Sequence, residues 1–263
     1  ARQSHRGGRL VERTDRFNAR MMLRYAPLAE QAGGAVVAFR CVKFHDGIIT
    51  AYNQTMLTEY HVEIMLEALS DSLSPRALGT MIKANITQDR LAGQFGHDEF
   101  HFDNNAFAKT YAYIEEQRAL TIAALQTQNV VSAWQAFGRM THTQQDFYAH
   151  SNYVTLWLER FNGAALPPSD DIDPLDPDLI HSPDLRSGKT YNPFELLYFV
   201  RRIRPRVLRF LPRDSHAWMN LDAPEQGYKF DYAMRAAVKR TRIEYQKTLA
   251  ELSRELITLF AGT

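Results

Sequence analysis

Between residues 130 and 157 apolar positions surround a narrow polar stripe. Val130, Val131, Trp134, Phe137, Met140, Phe147, Tyr148, Leu156 and Trp157 carry the apolar part, with no proline and a single glycine, Gly138. The pattern predicts one long helix across the whole stretch. His142, Asp146 and His150 stand four residues apart. On a helix each such step turns about 400° and rises about 6 Å, so the three lie on one slowly drifting stripe. A helix apolar over most of its remaining circumference belongs in the middle of a fold.

The same periodicity predicts helices over Thr14–Gln31, Gln54–Leu69 (His61 in its middle) and Asn105–Gln126. Ser74-Pro75 reads as an N-cap followed by proline at the first helical position, opening a helix to about Ile86. Phe194–Leu211 reads as helical with an interruption at Pro205, and Glu225–Phe260 as one last long helix. Ala35–Phe44 is a β-branched run that suits a strand or a buried helix equally. Gly96–Asp103 and Ser215–Asp222 read as polar loops. Residues 1–13 read as a loose basic arm. From 162 to 193 periodicity vanishes among six prolines and Asp170, Asp171, Asp173, Asp176 and Asp178, which predicts a long irregular loop, a candidate lid. The expectation is a single all-α domain, a multi-helix bundle with one long loop insertion.

Composition narrows the chemistry. Hydrophobic residues at 45% and charged residues at 23% are ordinary for a globular protein, and the net charge of +1 neither demands nor excludes nucleic acid. No apolar run approaches the roughly 20 residues that span a bilayer. No secretory signal is expected in Ala1-Arg-Gln-Ser-His, and localisation and oligomeric state stay open. The single cysteine, Cys41, rules out a Cys-based zinc site within one chain. A metal centre must therefore use His, Asp or Glu.

Two imidazoles and a carboxylate on the inner stripe of a buried helix call for a partner, because burying ionisable groups is costly unless they are paired or coordinated. A divalent cation serves all three; a hydrogen-bonded polar seam is the competing reading. Further candidates are His61, Asp89, His101 and His216, on segments that can converge in a bundle core. Asp103 and Asn152 are candidates to orient ligating imidazoles. His97 competes with His101; His5, His45 and His181 read as surface. The arginines from Arg201 to Arg213 either bind phosphate or lipid headgroups or pair with the aspartates of 170–178, the second reading being favoured.

His142-Thr-Gln-Gln-Asp146-Phe-Tyr-Ala-His150-Ser-Asn-Tyr resembles the signature of Het-C-type domains and, more distantly, of zinc-dependent phospholipases C. Tyr60-His61-Val-Glu-Ile, Asn85-Ile-Thr-Gln-Asp89, Phe100-His101-Phe102-Asp103 and Ser215-His216 are similar to the family's other ligand segments in order and rough spacing. The resemblance implies a bundle of the zinc-dependent phospholipase C and zinc nuclease type. It implies two or three Zn²⁺, iron or manganese also suiting such ligands, held by His61, Asp89, His101, His142, Asp146, His150 and His216. Asp222 stands near the place of a family glutamate. The phospholipases hold one metal through an N-terminal tryptophan; Ala1 departs from that, so this position is either lost or rebuilt.

The implied activity is metal-assisted hydrolysis of a small-molecule or lipid phosphoester, with Asp89 or Asp103 taking the proton and no nucleic acid expected as partner. A different enzyme chemistry on the same ligand shell, hydrolytic or iron-dependent, and a non-catalytic interaction module remain as alternatives.

Overall fold

In the computed structural model, which describes residues 58–90, 93, 96–161, 165–192, 194–198 and 202–263, short and long helices follow one another. They are α1 (Thr58–Leu69), α2 (Pro75–Thr87), α3 (Asp98–His101), α4 (Phe107–Gln126), α5 (Val130–His150), α6 (Tyr153–Glu159), α7 (Pro177–Ile180), α8 (Phe194–Tyr198), α9 (Arg204–Val207), α10 (His216–Met219), α11 (Lys229–Ala250) and α12 (Arg254–Ala261). Among the described residues there are no strands, only isolated bridges at Ser151–Ser187 and Lys189–Ser215. The fold is all-α. The chain divides into two units at 45/46, and every described residue belongs to the second, Asp46–Thr263. The expected arm, the helix over 14–31 and the run 35–44 lie outside the described residues.

Helix α5 is the hub. It packs most extensively on α2 and α4, then on α11, while α1 bridges α11 and α2. Its one glycine explains the closeness of α2: a Cβ at Gly138 would stand 2.2 Å from the Met81 carbonyl oxygen. Trp134, Phe137 and Met140 are buried in one continuous core that also takes in side chains of α1, α2 and α12. The end of the chain closes on it, with Trp134 Nε1 donating to the Phe260 carbonyl (2.8 Å) and Ser74 N to the Ala261 carbonyl (2.8 Å). Ser74 caps α2 as its sequence requires, accepting from Ala77 N, with Pro75 in the first turn.

Three expected boundaries shift. The central helix stops at His150, and α6 follows separately. Ser151 is extended (φ −111°, ψ 168°), because the backbone here pairs with the loop: Gly188 N donates to the His150 carbonyl and Asn152 N to the Arg186 carbonyl, each at 2.9 Å. The last helix breaks between Ala250 and Arg254, where Ser253 caps α12 by accepting from Leu256 N. Among the described residues of the stretch expected as helical from 194 to 211, two short helices occur, α8 and α9, with Pro205 in the first turn of α9. The segments expected as loops at 96–103 and 215–222 each contain one helical turn, α3 and α10.

The long loop, described over 165–192, carries a 3₁₀ turn at Ser169–Asp171 and the single turn of α7, and it is pinned. Tyr148 Oη donates to the Pro174 carbonyl and Tyr153 Oη to the Asp173 carbonyl, both at 2.6 Å. Its aspartates pair with Arg160 and Arg235, and Lys239 donates to the Asp170 and Ile172 carbonyls.

Candidate metal centre

The polar stripe of α5 is fully enclosed. From Thr141 to Asp146 six consecutive polar residues are buried. Such a run in a core needs partners for every donor and acceptor. Asp146 finds them on three segments. Its Oδ2 lies 2.8 Å from His101 Nδ1 and 3.2 Å from His142 Nε2, and its Oδ1 lies 3.2 Å from His61 Nε2. Asp89 completes the group, with Oδ1 3.5 Å from His142 Nε2 and Oδ2 3.8 Å from His61 Nε2. One donor atom from each of His61, Asp89, His142 and Asp146 lies within 4.8 Å of all the others.

This spacing fits a cation. Ligands about 2.1 Å from a tetrahedral centre stand about 3.4 Å from one another, close to the 3.2–3.8 Å measured here. His61 Nε2 and Asp146 Oδ1 face each other at 3.2 Å and yet neither makes a hydrogen bond. A seam of hydrogen-bonded side chains would not leave these two buried atoms unsatisfied. Two groups that could hold metal ions are thus built into the protein, this one and a second beside it.

The second group is Asp103, His150 and His216, with Asp222 alongside. His216 Nδ1 stands 2.9 Å from Asp103 Oδ1, and His150 Nε2 stands 3.0 Å from Asp222 Oδ1. His150 Nδ1 donates to the His101 carbonyl (2.8 Å), which turns Nε2 toward Asp222. A cavity of about 330 Å³ has Ser151, Asn220 and Leu221, the chain neighbours of His150 and Asp222, in its wall.

A backbone feature separates the two groups. Phe102 closes α3 in the left-handed region (φ 57°), an uncommon conformation for a bulky residue. The reversal sends His101 to Asp146 and Asp103 to His216. Asn104 and Asn105 continue in the same region (φ 56° and 55°) and are held by the loop: Asn104 Oδ1 accepts from Thr190 N and Asn105 Oδ1 from Ser187 N.

The electrostatics follow from burial set against charge. Burial pulls the His61 imidazolium down, but the Asp146 and Asp89 carboxylates outweigh it and carry its pKa to about 9. Burial also opposes protonation of His150, where Asp146, Asp222 and Asp103 win and raise it well above the usual value. At His142 burial lowers the pKa and the neighbouring His61 acts in the same direction. Burial raises Asp146, yet His142, His150 and His101 around it hold its carboxyl well below the ordinary range. These are groups arranged to keep carboxylates ionised beside imidazole nitrogens.

Of the residues expected at the site, His61, Asp89, His142 and Asp146 come together in the first group and Asp103, His150 and His216 in the second, while His101 stands beside the first through Asp146 and Asp222 beside the second through His150. Asn152 does not. Its side chain accepts from Arg186 N and donates to the Asp184 carbonyl, so it anchors the loop rather than an imidazole. His97 pairs with Glu99 outside the centre, and His181 stays on the surface. The support beneath His61 had not been expected. His61 Nδ1 donates to Gln145 Oε1 (2.7 Å), which also accepts from Asn85 Nδ2, while Gln145 Nε2 donates to Thr241. This fixes the tautomer that turns Nε2 toward the acids. The unbroken polar run through Gln144-Gln145 was its only trace in the sequence.

Comparison with known proteins places the chain. No solved structure matches it. It is similar to von Willebrand factor A domain-containing protein 7 of Rattus norvegicus, 34% identical over 80 residues, 30% of this chain and 9% of that protein. The same-named protein of Homo sapiens is 29% identical over 125 residues, 46% of this chain and 14% of that protein. The matched stretch is thus a small part of these relatives' length. Residues 46–177, half of the chain, match the family model described as the VWA7 N-terminal domain, and the matched span holds all of the first group and the two histidines of α5: the chain belongs to the VWA7 N-terminal domain family.

Proposed function

We propose that this chain is a metal-dependent hydrolase of phosphoesters, working through the two His/Asp groups on and around α5. The observation that carries the reading is the orphaned pair His61 Nε2 and Asp146 Oδ1, 3.2 Å apart among four mutually close donor atoms. The donor set of nitrogen and oxygen without sulfur suits Zn²⁺, with iron or manganese as the other candidates. Bound there, such ions supply charge that polarises phosphoryl oxygens and acidifies water. The resemblance of His142–Tyr153 to Het-C-type domains and zinc-dependent phospholipases C supports phosphorus as the site of attack.

The protein's own part is positional. Gln145 orients His61, the His101 carbonyl orients His150, and the turn at Phe102 sets Asp103 in the second group. Asp89 or Asp103 is the carboxylate that takes the proton from water. Turnover of a phosphodiester such as p-nitrophenyl phosphorylcholine by metal-loaded protein, lost in Asp146→Asn, tests the reading; equal turnover in that variant contradicts it.

The complete burial of His61, His142 and Asp146 favours a second reading, in which the metal only staples the helices of a non-catalytic module. Chelation separates the two. Loss of thermal stability with no turnover on any phosphoester supports the staple.

A further inference from the structure

Among the described residues, Arg202, Arg206, Arg209 and Arg213 are not neutralised by the aspartate-rich loop, contrary to the favoured expectation. The loop's acids pair with Arg160 and Arg235 instead. No acidic residue occurs from 196 to 213. Among the described residues Arg202, Arg206, Arg209 and Arg213 are exposed, and no ion pair is formed by any of them.

Large apolar side chains stand among them. Phe210 is 84% exposed, Phe194 60%, Leu197 43% and Trp218 38%. They sit on three short segments packed about one small cluster of Tyr198, Leu211 and Ala217. Within that layer cations and apolar groups interleave. The Arg213 guanidinium lies 3.8 Å from the Trp218 ring centroid, and Arg204 lies 4.3 Å from that of Tyr198. Trp218 Nε1 donates to the Leu208 and Leu211 carbonyls on either side of Phe210. Isolated exposed apolar residues are ordinary; four on one small layer, with unpaired arginines between them, mark an interaction surface.

We propose that the layer of α8, α9 and α10 docks on an anionic phospholipid bilayer. Its arginines match lipid phosphates and anionic headgroups, and Phe210, Phe194, Leu197 and Trp218 enter the boundary between headgroups and acyl chains. Leu197 separates this partner from nucleic acid, since an aliphatic side chain has no face on which a base can stack. The docking needs no turnover and stands apart from the phosphoester reading.

The test is co-sedimentation of the chain with phosphatidylcholine vesicles with and without phosphatidylserine, at low and at raised salt. Binding is expected only with phosphatidylserine and falls as salt rises. Arg206→Glu/Arg209→Glu lowers it at least about tenfold, each basic residue near such a surface being worth about fivefold. Phe210→Ser lowers it severalfold. Both variants alter exposed positions and keep the wild-type helix content. Absence of binding to phosphatidylserine vesicles, equal binding to both vesicle types, or binding unchanged in both variants overturns the proposal. Tighter binding of single-stranded RNA that survives Phe210→Ser also overturns it and gives the surface to nucleic acid.

Discussion

Asp146 Oδ1 stands 3.2 Å from His61 Nε2, both fully buried and neither hydrogen-bonded to anything. The same carboxylate reaches His101 and His142 through its other oxygen. Asp146 therefore joins three imidazoles from three segments. Asp146→Asn keeps the volume and removes the charge. Metal content, measured by elemental analysis after purification without added metal, is expected to fall to background for the first group while far-ultraviolet circular dichroism stays near wild type. Full metal content in the variant would contradict the role given to this residue.

Gln145 acts on the metal through His61. Gln145→Ala removes the acceptor for His61 Nδ1 and frees the ring to change tautomer. An orienting partner of this kind is typically worth about 10–100-fold in metal affinity. Competition against a chelator of known strength is expected to show that loss, with the second group unaffected. A general loss of folding would show instead in the thermal midpoint.

Gly138 is a packing requirement. A methyl group there meets the Met81 carbonyl at 2.2 Å, and a backbone atom cannot simply rotate away. Gly138→Ala is expected to destabilise by about 1–3 kcal/mol, the usual cost of overpacking, despite alanine's better helix propensity. Denaturant unfolding reads the outcome; a stabilised variant would mean that α2 and α5 separate easily.

A buried charge network away from the centre sets an acid limit on stability. Glu244 is fully buried between Arg118 (2.5 Å) and Arg240 (2.7 Å). Burial raises its pKa, but the two guanidinium groups dominate and hold it below the ordinary value of 4.5. A carboxylate whose pKa is lowered by folding adds stability above its unfolded pKa, and that stability is lost as pH falls through the folded one. Glu244→Gln is expected to cost about 3 kcal/mol at neutral pH, because Arg240 loses its counter-ion and the buried Arg118 keeps only Glu115. The gap to wild type narrows below pH 4.5. A gap that stays constant into acid would exclude this linkage.

What could be read from the chain divides along physical lines. Local signals held. Ser74-Pro75 began its helix, and the four-residue spacing of His142, Asp146 and His150 put all three on one face. The break at Ser151 was hidden because its cause, pairing with Arg186 and Gly188, lies more than 30 residues away. Phe102 gives no sequence hint of a left-handed turn, which its packing against Phe107, Tyr111 and Phe147 and the bonds of Asn104 and Asn105 impose. The Gln145–Asn85–Thr241 support was unreadable, since neutral amides in a helix carry no mark of what they will touch. Ser253 was a legible cap, masked by apolar periodicity running on past it.

The most direct measurement is an anomalous scattering scan on crystals of the chain grown without added metal. The account predicts a peak about 2.0–2.2 Å from His61 Nε2, His142 Nε2 and one oxygen each of Asp89 and Asp146. Those four side chains joined to each other only through ordered water, with no anomalous peak between them, would contradict it.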